Sequence, residues 1–308
     1  MKKLSMTAFV LAALTLAVTG CRNSGKNQGA DSLSADSVDS VQTVISDDTL
    51  AVDSFVCRLN HGSAVKSSIY IDYPSGTDAL SNAVREFVAS QLKDNYFPRI
   101  NSIDEEQDKY QCYKGGTDKP QQMTDFYAKG VLKYLTASRK EMMESMESNE
   151  SEMPGMEYSL EIRKVDETPK YVTYNVNYSS YTGGAHGSFI SYDRNISKIT
   201  CRPIEHSVDS TRLKALQSIL RKGIVSYFHD CGEKDANASN LNSYLLLPEE
   251  SQGMIPLPVN TPYIKDDSLH FVYQQYEIAP YAVGLVNFNV ACKDIKPYLT
   301  KEAKALVE

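Results

Sequence analysis

The segment Tyr171–Tyr181 constrains the fold more than any other. Val172, Tyr174, Val176 and Tyr178 alternate with Thr173, Asn175, Asn177 and Ser179. Successive side chains of a strand point to opposite faces, so a period of two puts one face in a core and leaves the other polar. A chain with such a strand needs an apolar cover on one side and strands beside it. The flanking sequence offers both. Glu157–Val165 reads as a strand joined to it through a turn at Glu167–Lys170. A third strand is expected from about His186 to Arg194, turning at Asn195–Lys198 and continuing through Ile199–Cys201.

Helical periodicity supplies the cover. After a strand at Ser68–Tyr73, ended by Pro74, Ser75 and Gly76, Thr77 reads as an N-cap. Leu80, Val84, Phe87, Val88 and Leu92 then recur at helical spacing to about Tyr96. Pro120 suits a helix first turn. Met123, Tyr127, Val131, Tyr134 and Leu135 form the apolar stripe of a second helix, whose charged, Met-rich continuation from Arg139 to Glu150 is expected to run into solvent. A third helix spans about Ser210–Phe228, with Leu213, Leu216, Ile219, Leu220, Ile224 and Tyr227 facing inward. Two further strands, Leu269–Gln274 and Leu285–Ala291, and a short helix over Thr300–Val307 complete the pattern. These elements predict an α+β fold: an antiparallel sheet with helices packed on one face, in two sequential α/β halves, 53–165 and 166–308.

The N-terminus fixes a compartment. Lys2 and Lys3 precede an apolar run from Leu4 to Val18, and small Thr19 and Gly20 precede Cys21. That is a secretory signal over residues 1–20, too short at about 15 apolar residues to span a bilayer. Cys21 at the first mature position resembles a bacterial lipobox, which implies lipidation there and a membrane anchor. Residues 21–52 are rich in Ser and Asp, cannot bury enough surface to offset chain entropy, and read as a disordered tether. Arg22, Asn23 and Ser24 follow Cys21 without an acidic run, which favours an outer-membrane anchor facing the periplasm over the cell surface.

Removing Lys2 and Lys3 takes the formal net charge from −7 to −9. An acidic chain without basic runs does not suit nucleic acid, where phosphate contacts dominate affinity. No Cys-x-x-Cys pair, His-Glu-x-x-His run, phosphate-binding loop, dinucleotide fingerprint or Gly-x-Ser-x-Gly elbow occurs, so no cofactor and no metal are expected. With Cys21 lipidated, Cys57, Cys112, Cys201, Cys231 and Cys292 remain. Cys201–Cys231 is the favoured disulfide, against five small buried thiols.

Two stretches are more specific than the rest: Tyr181-Thr-Gly-Gly-Ala-His-Gly187 between two strands, and Tyr276-Glu-Ile-Ala-Pro-Tyr-Ala-Val-Gly284 between two others, with Lys296-Pro-Tyr-Leu299 after them. In this order, about 95 positions apart, they resemble the extracytoplasmic domain shared by RsiV-type anti-sigma factors and PdaC-type peptidoglycan deacetylases. The resemblance runs over roughly residues 55–300 and is strongest at 171–200 and 265–300. It implies a sensing or binding module, by analogy with direct lysozyme binding, rather than a catalyst. A lipid at Cys21 in place of a membrane helix argues against anti-sigma activity. No second domain fits before Glu308, so the deacetylase activity is not carried over. Where the family hairpin has a turn glycine, this chain has Asn195, Ile196 and Ser197.

The candidate binding residues are Tyr181, Gly183, Gly184, His186, Tyr276, Glu277 and Tyr281. Gly183 and Gly184 supply positive φ at a strand junction or let a ligand approach the backbone. Tyr181 and His186 would sit at the rim, where tyrosine can stack on a sugar or anchor a protein. Pro280 directs a wrapped loop that Tyr276 and Tyr281 pack down. Glu277 accepts from loop backbone or, with a second carboxylate, serves as an acid. Three functions compete. The first is a lipid-anchored, non-enzymatic module binding a lysozyme-like protein or a peptidoglycan fragment. The second is an envelope hydrolase pairing His186 with Glu277 or Asp193. The third is a structural envelope component.

Overall fold

In the computed structural model, the described residues are 49–308, apart from 102–109, 148, 150 and 151. The signal peptide, Cys21 and the tether as far as residue 48 lie outside them. Among the described residues no helix is long and apolar enough to cross a membrane.

The fold is α+β. Six strands form one sheet in chain order: β1 (Val52–His61), β2 (Val65–Pro74), β3 (Met156–Glu167), β4 (Tyr171–Tyr181), β5 (Ser188–Ser197) and β6 (Arg202–Pro203). All neighbours are antiparallel except β2 and β3, which run parallel. A parallel pair needs a crossover, and α1 (Ala79–Asp94), α2 (Phe97–Ile100) and α3 (Pro120–Ser145) provide it. The register places Ile69, Leu160 and Tyr178 side by side, and Ile71, Ile162 and Val176 likewise. Val84, Phe87, Val88 and Leu92 of α1 and Met123, Tyr127, Val131 and Leu135 of α3 are buried in the same core, so the helices cover that face. The period-two reading of β4 holds: Val172, Tyr174, Val176 and Tyr178 are buried.

The second core lies around α4 (Leu213–Asp230), the three-stranded sheet β7 (Tyr263–Lys265), β8 (Ser268–Tyr273) and β9 (Val286–Ala291), and the short helices α5 (Cys292–Ile295) and α6 (Lys301–Val307). Leu269, Phe271 and Tyr273 are buried on one face of β8, as their alternation predicts. Gly223 lets α4 lie directly on β9, since a Cβ there would fall 2.1 Å from the Phe288 ring. The division expected at residue 165 falls inside the β3–β4 hairpin. The first sheet closes only at Pro203, and the second core begins at Ile204, with Tyr171 its one contribution from β4.

Several local expectations are corrected. Asp78, not Thr77, caps α1: its carboxylate accepts from the Ser81 backbone N–H at 2.9 Å and the Ser81 hydroxyl at 2.5 Å. Arg139 does not enter solvent; it is buried, with its Nε donating to the Pro154 carbonyl at 3.1 Å and a terminal nitrogen to Met153 at 3.1 Å. β5 runs straight through Asn195 and Ile196, and the turn comes at 198–201, with Cys201 at φ 49. Asn195 carries a strong turn propensity, but its amide is spent elsewhere. Nδ2 donates to Thr173 Oγ1 at 3.0 Å and to the Ile264 carbonyl at 2.9 Å, and Oδ1 accepts from Ile264 N–H at 2.6 Å. The five described cysteines are free thiols. Cys201 sits in the β5–β6 turn and Cys231 caps α4, so the favoured pair is not formed, and only Cys57 and Cys292 are buried.

Order reaches back before β1 because of one carboxylate. Glu167 Oε1 accepts from Leu50 N–H at 2.8 Å and pairs with Lys198 at 2.5 Å, while Oε2 pairs with Lys164. Lys164 also donates to the Leu50 carbonyl at 2.7 Å, and Leu50 is buried. Burial raises the Glu167 pKa, but the bonds from Lys164, Lys198 and Leu50 outweigh it and hold the carboxyl below the ordinary glutamate range. A depressed native pKa gives stability that is present at neutral pH and lost as pH falls through the native value. Glu167→Gln is therefore expected to lower stability at about pH 7 by about 1–3 kcal/mol, with the gap to wild type closing toward about pH 3. Urea unfolding at both pH values checks this; a gap that does not change with pH would contradict it.

Candidate functional site

The segment between β4 and β5 is shaped by sterics. Gly183 has φ 89, and a Cβ there would lie 2.9 Å from Pro154. A Cβ on Gly187 would lie 2.8 Å from the Ser180 carbonyl. Gly184 is exposed and meets no such restriction. The segment after β8 is equally confined. Ile278 and Ala279 are buried, and Tyr227 donates from its hydroxyl to the Val283 carbonyl at 2.7 Å. Gly284 returns the chain to β9 at φ 78, ψ −150, a conformation open essentially to glycine alone.

These two segments meet. The His186 ring stacks on Tyr281 with centroids 3.9 Å apart and planes 22° apart. The His186 Nδ1–H donates to the Gly187 carbonyl at 3.0 Å, which leaves Nε2 to accept from the Tyr276 hydroxyl at 3.2 Å. Tyr276 is 56% exposed and has φ 65, a left-handed conformation that costs a non-glycine residue about 1 kcal/mol or more. The surrounding structure holds it there. Gln274 bridges β5 with its side chain, Oε1 accepting from Ser191 N–H at 3.1 Å and Nε2 donating to Ser191 O at 3.0 Å. Gln275 Oε1 accepts from Phe189 N–H at 3.3 Å. Two side-chain amides thus take the place of a neighbouring strand along the edge of β5.

Glu277 fixes the other side of the turn. Oε1 accepts from Val259 N–H at 2.6 Å and Oε2 from Gln274 N–H at 2.7 Å. Burial pushes its carboxyl above the ordinary glutamate range, and the two backbone donors recover only part of that shift. It therefore ties the 259 loop to the 274–277 turn, where Val259 (82% exposed) and Tyr276 both remain exposed. Asp193 is also spent: it accepts from Asn175 at 2.5 Å, and burial raises its carboxyl pKa. Neither carboxylate bonds to His186, so the His–carboxylate pair of the hydrolase reading is not formed. Tyr181 ends β4 opposite Glu157 and joins none of these contacts.

Beside the cluster lies a cleft of about 1020 Å³. Its floor is Ile190, Tyr192 and Arg194 of β5; one wall is α1 from Ala83 to Asn95; the other is formed by Val259, Asn260 and the 274–277 turn. Tyr276 and Glu277 line it, whereas Gly183, Gly184 and His186 do not. Among the described residues no group of His, Cys, Asp and Glu could hold a metal ion. Gln91, Tyr192, Asn260, Gln274 and Gln275 escaped the sequence reading. Lone amides carry no spacing signal, although Gln274 and Gln275 directly precede the second motif.

The family model described as Deacetylase PdaC matches residues 63–189, and that described as Protein of unknown function (DUF3298) matches 207–293. The two adjacent matches are consistent with a domain of the PdaC/RsiV type. The division between the matches falls near the end of the first sheet. A DUF3298 family member from Bacteroides fragilis NCTC 9343 shares the fold at 20% identity and TM-score 0.59, covering 83% of this chain and 97% of its own. A DUF3298 family protein from Pseudomonas aeruginosa PAO1 does so at 12% identity and TM-score 0.52, with the same coverage. No curated protein matches.

Glu277→Gln puts an amide N–H2 against one of two backbone N–H donors. One donor is then left without an acceptor, at about 1–3 kcal/mol locally. The expected result is faster hydrogen exchange at Val259 or Gln274 with β2 and β3 unaffected. Unchanged protection at both amides would contradict the proposed role.

Proposed function

We propose that this chain is a lipid-anchored, non-enzymatic binding module of the cell envelope, held at Cys21 on the outer membrane and facing the periplasm. Its partner is a lysozyme-like protein or a cell-wall glycan, engaged at the surface made by His186, Tyr276 and Tyr281. The supporting observation is the convergence of two motifs, distant in sequence, on one exposed aromatic cluster whose Tyr276 is held in a costly conformation. An outlier of this kind is maintained only where surrounding contacts impose it, and such outliers gather at ligand sites. Aromatic side chains that are rigid and exposed give contact area at low entropic cost. In this reading Glu277 is a structural acceptor, Gly183 and Gly187 set the loop path, Gly184 leaves open space for a ligand, and Tyr181 lies outside the contact surface.

A pull-down from envelope extract with the full chain, together with lysozyme and muropeptide baits, tests this. Wild type is expected to retain a partner that His186→Ala with Tyr276→Ala loses by about tenfold or more, consistent with loss of two contact residues. Equal retention by wild type and variant, with the variant's melting curve unchanged, would exclude this surface.

A further inference from the structure

The cleft beside the aromatic cluster has a chemistry of its own. Along α1, Glu86, Ser90 and Asp94 recur every four residues and so stand in line on the cleft wall. Across from them are Arg202, Asn260 and Gln275. Tyr192 forms part of the floor, its hydroxyl donating to Gln91 Oε1, and Tyr276 stands at the rim. The lining therefore combines planar amides, carboxylates and a guanidinium with two tyrosine rings. Hydroxyl groups, which both donate and accept, match such a set, and the apolar faces of a pyranose ring match the tyrosines.

Charge narrows the ligand. The lining holds four carboxylates (Glu86, Asp94, Glu205, Glu277) and two guanidinium groups (Arg194, Arg202), a net charge of −2. Arg194 is already paired with Glu205 at 3.2 Å. A phosphorylated or uronic-acid ligand would meet repulsion. The backbone narrows it further. An extended peptide would normally gain affinity by adding a strand to an open sheet edge. Here the edge of β5 is occupied at Phe189 and Ser191 by Gln275 and Gln274. A ligand must therefore be recognised by side chains. The volume lies at the top of the range of about 300–1,000 Å³ for small-molecule sites, enough for several sugar rings.

We propose that this cleft binds a non-anionic oligosaccharide, seated between α1 and the 259–260 and 274–277 turns, with Asn260 and Gln275 donating to it and Glu86 and Asp94 accepting from it. This deepens the binding-module reading and rests on it for its biological sense; the two surfaces share only Tyr276, at the cleft rim.

Calorimetric titration of the full chain in detergent with chitotetraose, cellotetraose, tetragalacturonate and a lysine-rich peptide tests the proposal. At least one of the two uncharged tetrasaccharides is expected to bind at one site, with tetragalacturonate and the peptide at least about tenfold weaker. Gln275→Glu keeps the acceptor for Phe189 N–H but removes the amide donor. Combined with Asn260→Ala it should weaken sugar binding by about tenfold or more. The proposal is overturned if neither uncharged tetrasaccharide binds, if the double variant binds as well as wild type, or if tetragalacturonate or the peptide binds best. No sugar binding by the wild type, with the envelope partner still retained through His186 and Tyr276, would remove the cleft assignment alone. Intact sugar binding with no dependence of the pull-down on His186 and Tyr276 would remove the aromatic surface alone.

Discussion

One buried carboxamide joins the two sheets of this protein, and the candidate site depends on that junction. Asn195 lies on β5 of the six-stranded sheet, and its amide makes three bonds: to Thr173 on the neighbouring strand, and to both the N–H and the carbonyl of Ile264 on β7. A buried amide group is costly unless its bonds are made, and valuable in fixing one geometry when they are. With one donor and one acceptor of Ile264 both engaged, the second sheet has a single register against the polar face of β4 and β5. Gln274 repeats the device further along the same strand, at Ser191. The polar stripe of β4 and β5 is thus a docking face for the second sheet and not only a solvent face.

The site follows from that docking. The glycine-bearing loop leaves β4 at one end of the first sheet, and the wrapped loop leaves β8 at one end of the second. Held in this register, His186 lands on Tyr281 and within hydrogen-bonding distance of Tyr276. Glu277 then settles the turn by accepting from two backbone donors that belong to different loops. The cleft arises because α1 covers only part of the sheet, so Ile190 and Tyr192 of β5 remain half-exposed beside it. Polar side chains thus set the geometry of the functional face, while the apolar cores set the stability behind it.

Much of the fold was legible because periodicity reports burial. The alternation in β4 and β8 and the helical stripes of α1, α3 and α4 each matched the buried faces. What escaped was decided by tertiary partners. Asn195 reads as a turn residue but is used as a sheet-to-sheet bridge. Arg139 reads as solvated but caps buried carbonyls. β1 is not read from the sequence at all, and the chain is held already at Leu50, inside the expected tether, because the carboxylate that fixes Leu50 lies 117 positions away. The crossover that makes β2 and β3 parallel could not be read from strand pattern, since parallel and antiparallel strands alternate alike. At the site, the two motifs carried the signal because their glycines and proline constrain backbone. The amides of the cleft carried none, because a lone Gln or Asn looks the same on a binding wall as on any surface.

The candidate site exists only where the two motif loops meet, and a nuclear Overhauser measurement on the protein in solution tests that meeting most directly. Ring centroids 3.9 Å apart predict strong cross-peaks between His186 and Tyr281 ring protons, weaker ones to Tyr276, and ring-current-shifted His186 resonances. A His186 ring with random-coil shifts and no contact to either tyrosine would contradict the assembled site and, with it, the function assigned to it.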